Sequence, residues 1–161
     1  MPSFEKHVAQ AAHNRSLASF LDKEQKDNYN DWVVTVCFYT VLHLVEAMIH
    51  ECDHLRAPSN AYPRFSENKT LVKISNVKHS ADLEPNYGRK GHELRDCVIE
   101  DNRWYFKRVG DVSLALRSMS QSARYDCQAM VREDADFALS KTFEAVTDFN
   151  AWALPKKLAT V

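Results

Sequence analysis

The stretch Asp31–Leu55, DWVVTVCFYTVLHLVEAMIHECDHL, decides what this chain can fold into. It holds neither glycine nor proline, and its apolar residues recur at helical spacing. On a helical wheel Val33, Val34, Cys37, Phe38, Val41, Leu42, Leu44, Val45, Met48, Ile49, Cys52 and Leu55 cover well over half the circumference. A helix apolar on so many sides must be covered by other helices. Its remaining strip carries Trp32, Tyr39, His43, Glu46, His50, Asp53 and His54. His43 and Glu46 interrupt the apolar run, which makes it a poor membrane span.

The flanking sequence supplies the covering helices. With 161 residues and only three glycines (Gly88, Gly91, Gly110), the chain suits a single all-α domain over 1–161. Ser3 is an N-cap for a first helix running to about Lys26. Asn28 or Asn30 is placed to cap the central helix. Residues 54–90 differ in texture and are punctuated by Pro58, Pro63, Pro85 and Gly88, with Gly91 just beyond. They read as a long loop insertion over one end of the bundle, holding one short helix across 69–77 capped by Ser66. A third helix is expected from Gly91 through HELRDCVIEDNRWYFKRV, a fourth after an Asp111 cap, and a fifth from Cys127 to Leu154. Pro155 ends the last one, and 155–161 should fray. The sum is five main helices.

A net charge of −1 gives no global attraction to nucleic acid or anionic lipid, so any such contact needs a local patch. The four cysteines (Cys37, Cys52, Cys97, Cys127) make no C-x-x-C pair and read as buried free thiols in a reducing compartment. MPSFEKHVAQ lacks the apolar core of a signal peptide, and the expected location is cytoplasmic. No phosphate-binding glycine loop, dinucleotide fingerprint or G-x-S-x-G occurs, and no cofactor is implied.

Three stretches in fixed order carry a family resemblance. FYTVLHLVEAMI is similar to the aromatic-then-aliphatic second helix of the HEPN superfamily. HELRDCVI is similar to the H-x-x-R start of the third helix in one bacterial branch. LRSMSQSARYD resembles the S-x-x-A-R-Y ending of the fourth helix. Together with the long last helix, the resemblance covers about two thirds of the chain and implies a four- to five-helix bundle, commonly a homodimer. Many such domains are metal-independent ribonucleases of defence or toxin–antitoxin systems, sometimes paired with a nucleotidyltransferase antitoxin. Their active-site pattern is Arg, four to six residues, then His. That spacing is missing here: Arg89 and His92 are three apart, and no His follows Arg124. Members without it act as binding or assembly modules, which is the reading that the resemblance implies for this chain.

The candidate site residues fall in two groups. His92 and Arg95 lie one turn apart near a helix start, while Arg124 and Tyr125 close the following helix. In an antiparallel bundle these ends coincide, with Arg89 and Lys90 joining from the loop. Such a cluster suits a phosphate of RNA or of a nucleotide, Arg forking to two oxygens and His moving a proton. As a ribonuclease it would use His92, Arg95 and Arg124 as catalytic groups. The opposing structural reading pairs Arg124 with Asp96 or Glu93 as a clamp between helices. His43 and Glu46 form the second group: a mid-helix imidazole and carboxylate need a pocket, an Arg or an internal hydrogen bond. His50 and His54 at i,i+4 can share a metal, yet without H-E-x-x-H no metal is assigned. The run Arg103–Arg108 mixes cations with Trp104, Tyr105 and Phe106, and reads as an amphipathic helix end with snorkelling cations.

Overall fold

A computed structural model describes residues 3–52, 55, 79–83, 91–126 and 129–161. The expected helix at 69–77, together with Asp53, His54, Arg89, Lys90 and Cys127, lies outside the described residues. Among the described residues there are five α-helices: α1 (Phe4–Gln25), α2 (Asn30–His50), α3 (Gly91–Asp101), α4 (Arg103–Tyr125) and α5 (Arg132–Ala153). Short 3-10 turns follow α1, precede α3 (Ser80–Leu83) and follow α5. No strand occurs among the described residues, and the expected all-α bundle is what forms.

The apolar helix α2 sits in the middle and packs against α1, α4 and α5. It is long and apolar enough to cross a bilayer, but the neighbouring helices bury most of it, as in a core helix. Phe38, Leu44, Met48 and Ile49 of α2 meet Phe4, Leu94, Ile99, Phe106, Leu116 and Phe149, all fully buried. Burying side chains of this size stabilises by about 1.5–3 kcal/mol each, so this layer holds the bundle together. Small Ala11, Ala18 and Ala47, all buried, let α1 lie close along α2.

The helix starts and stops differ from expectation where a side chain finds another partner. Ser3 caps α1 as expected, its Oγ accepting the Lys6 amide at 3.4 Å. Asn30 does not cap α2; its Nδ2 donates to the Met130 carbonyl, and Asp31 accepts the Met130 amide at 2.7 Å. These two bonds tie the start of α5 to the start of α2. α2 itself ends at His50, short of Leu55, and the Glu51 amide bonds back to Met48 and Ile49.

α3 does not run on to Val109 as the periodicity suggested. It stops at Asp101, and the buried Asn102 turns its side chain back onto the Val98 carbonyl at 2.8 Å. α4 then carries a kink at Lys107, whose φ of 48° is unusual for a residue with a Cβ. Asp111 therefore lies inside a helix instead of capping one. Just beyond the kink, α3 and α4 meet closely. A Cβ on Gly110 would come within 2.7 Å of Ile99 Cγ2 and 2.8 Å of Phe106 Cβ.

The C-terminal residues are tied down instead of fraying. Asn150 Nδ2 donates to the Val161 carbonyl at 2.9 Å, and the Val161 amide donates back to Asn150 Oδ1 at 3.0 Å. Cys37 and Cys52 are both buried, and burial pushes the Cys37 thiol up to about 11, far from reactive ionisation.

Candidate functional site

Polar side chains concentrate along the strip of α2 that carries Tyr39, His43 and Glu46, each one turn from the next. Glu46 is 1% exposed, and a carboxylate so deeply buried needs a full set of donors. It has one. Oε1 accepts the Ser80 hydroxyl at 2.5 Å and the Arg95 Nε, while Oε2 accepts the Ser80 amide at 3.0 Å. His79 Nε2 lies 3.6 Å from the same Oε2. Burial raises the Glu46 carboxyl, but Arg95, His79 and Ser80 together outweigh it and hold it below the usual range. The group is an anion at neutral pH. The turn at Ser80–Leu83 is thereby fastened to the middle of α2, and α3 is fastened through Arg95.

A second set of imidazoles adjoins this carboxylate. His7 of α1 is 3% exposed, and its Nδ1 lies 3.1 Å from His43 Nδ1. The His7 ring also lies 5.6 Å from the His79 ring. One ligand atom each from His7, Glu46 and His79 all fall within 4.8 Å of one another. Desolvation lowers the His7 pKa to about 4 against the opposing pull of Glu46, and it lowers His43 likewise. Both rings are neutral at pH 7. A surface cavity of about 420 Å³ opens beside His7 and His43, lined by Lys6, Ala9 and Gln10.

The other end of the strip belongs to His92 and Arg124. Arg124 donates from Nη1 to the Tyr39 hydroxyl at 3.0 Å and from Nε to the Ser120 carbonyl at 3.1 Å. Its guanidinium stands 4.9 Å from the Tyr125 ring centre. Neither Asp96 nor Glu93 clamps it; Asp96 is paired with Arg117. Among the described residues Arg124 has no carboxylate partner. His92 packs on Phe38 and Tyr39, and its Nδ1 is buried without a partner. Burial lowers its pKa first, followed by Arg95, Arg117 and Arg124, so the ring is neutral at pH 7 and resists protonation.

The structure thus brings Glu46, His43 and Arg95 together, and separately His92, Arg124 and Tyr125. Arg95 is drawn to Glu46 instead of joining an open cationic cluster. His50 bonds its neighbour Glu51 at 2.7 Å and takes no part. Tyr105 and Phe106 serve packing, with the Tyr105 hydroxyl on the Met48 carbonyl and the Phe106 ring buried. The sequence reading missed His7, His79 and Ser80. His7 had a readable signal, since it shares the buried stripe of α1 with Phe4 and Ala11. His79 and Ser80 had none, because only tertiary folding places them over Glu46. Comparison with protein-family models, curated proteins and solved structures finds no match to the chain.

Proposed function

We propose that this chain is a HEPN-like binding and assembly module that takes up single-stranded RNA through a backbone phosphate, without cleaving it. The observation that carries the reading is Arg124. Its part-buried guanidinium is aimed by a tyrosine hydroxyl and a helix carbonyl, yet no carboxylate among the described residues neutralises it. A fixed guanidinium with spare donors is suited to a phosphate. Exposed Tyr125 offers a ring on which a base can stack.

Two features support binding over catalysis. The spacing of Arg and His found in the ribonucleases of this superfamily is missing, and Arg95 is occupied by Glu46. The all-α bundle and the order of the three resembling stretches support the superfamily reading. A homodimer, a cytoplasmic defence or toxin–antitoxin role and a nucleotidyltransferase partner belong to the same proposal.

The test is RNA binding and cleavage by the purified chain in EDTA, beside Arg124→Ala and His92→Ala. Binding without cleavage, weakened roughly tenfold or more by Arg124→Ala in a folded protein, is the expected result. Metal-independent cleavage lost in both variants would instead establish the ribonuclease, with His92 as proton carrier. Unchanged RNA binding in Arg124→Ala would overturn the proposed site.

A further inference from the structure

We propose that His7, Glu46 and His79 form a binding site for one divalent transition-metal ion of the zinc type, with His43 holding His7 in its ligating orientation. Two imidazoles and a carboxylate are the protein donors of three-ligand zinc sites, which leave one position open. The three ligand atoms come from α1, α2 and the turn before α3, and already lie within 4.8 Å of one another. Around one tetrahedral ion, ligand atoms stand about 3.3 Å apart, so closing the widest gap by up to about 1.5 Å completes the set.

An independent observation points to a missing ligand at His7. The contact between His7 Nδ1 and His43 Nδ1 contains a single proton. If His43 supplied it, His7 would carry its own proton on Nε2, and that atom is buried without any acceptor. A buried orphan N–H is costlier than a buried bare lone pair. The proton therefore belongs to His7 Nδ1, which donates to His43. That leaves the His7 Nε2 lone pair unpartnered inside the protein. A metal-ligating imidazole has this arrangement, one nitrogen donating to a fixed acceptor and the other bare.

Glu46 is prepared in the same way. Ser80 and Arg95 hold Oε1, while Oε2 faces His79 and, among the described residues, accepts only the Ser80 amide. The Arg95 charge offsets that of the carboxylate, so the pair is neutral before an ion arrives. This favours imidazole-bound zinc-type ions over Mg²⁺ or Ca²⁺, which demand several oxygen donors. His79 must change most. Its Nδ1 accepts the Ala81 amide at 3.1 Å, which places its proton on Nε2. Binding shifts that proton to Nδ1 and releases the exposed Ala81 amide to water, a small cost. The cavity beside His7 and His43 supplies an entry path.

The experiment is titration of the EDTA-stripped, desalted full chain with Zn²⁺ by calorimetry, and with Co²⁺ by visible absorption. The wild type should bind one ion per chain, raise its melting temperature, and give the spectrum of nitrogen and oxygen ligation. His79→Ala, in a surface turn, and His7→Asn should each weaken binding roughly tenfold or more. His13→Ala, on the exposed side of α1, should bind as the wild type does. If His7→Asn fails to fold, His79→Ala and His79→Gln decide alone. Absence of one-to-one binding, equal affinity in the His79 variants, or a thiolate spectrum would each overturn the site.

Discussion

Glu46 at the centre of α2 and Arg95 at the start of α3 meet in a largely buried ion pair, and the Ser80 hydroxyl donates to the same carboxylate oxygen. The pair joins parts of the chain 49 residues apart. Removing one partner leaves the other charged in a dry environment, whereas removing both leaves no orphan. Arg95→Met and Glu46→Gln should each destabilise by about 3–5 kcal/mol, and Glu46→Met with Arg95→Met should recover most of the loss. Urea unfolding of the two single variants and the double variant measures this. Simple additivity would show that the pair contributes nothing as a unit.

Gly110 is the point where α4 passes closest to α3. An added methyl group would meet the branched Ile99 side chain and the Cβ of Phe106, neither of which can swing away as a flexible chain end can. Gly110→Ala gains helix propensity of about 1 kcal/mol but overpacks a filled core by about 1–3 kcal/mol. The expected net is a loss, seen as a lowered urea midpoint with an unchanged m-value. A raised midpoint would show that α3 shifts freely.

The bundle was legible because one property, the near-continuous apolar surface of Asp31–Leu55, forces burial whatever the rest of the chain does. The position of His43 and Glu46 on its polar strip was legible for the same reason. Their partners were not. Arg95 was read as free cation because its distance from Glu46 depends on how α3 crosses α2. The break at Asn102 was hidden because its neighbours keep a helical pattern on both sides. The Asp111 cap was a sound local signal overridden by packing at Gly110.

Acid should weaken the fold through His92. Its folded pKa lies below the ordinary value of 6.5, because burial and then Arg95, Arg117 and Arg124 disfavour the cation. Between those two values the unfolded chain binds more protons than the folded one, so stability rises with pH. The contribution is fully present above 6.5 and is lost as pH falls through the folded pKa. His7 and His43 carry shifts of the same sign. His92→Asn should therefore flatten, without abolishing, the drop in urea midpoint between pH 7.5 and pH 5.5 in EDTA. An unchanged slope would mean that His92 binds its proton equally well in the folded and unfolded chain.

Tyr39 separates the part of the strip proposed to bind RNA from the part that packs. Its hydroxyl accepts the Arg124 Nη1 hydrogen, while its ring lies against Phe38 and His92. Tyr39→Phe removes the first contact and keeps the second. One hydrogen bond to a charged group is worth about 1.5–3 kcal/mol in favourable cases, though here the freed guanidinium still reaches water. The expected outcome is RNA affinity reduced about three- to tenfold, with the melting temperature within about 3 °C of wild type. Arg124→Ala should weaken binding further and lower the slope of log K against log salt by about 0.7, the value for one lost phosphate contact on a single strand. Equal salt slopes in Arg124→Ala and wild type would place the phosphate elsewhere on the bundle.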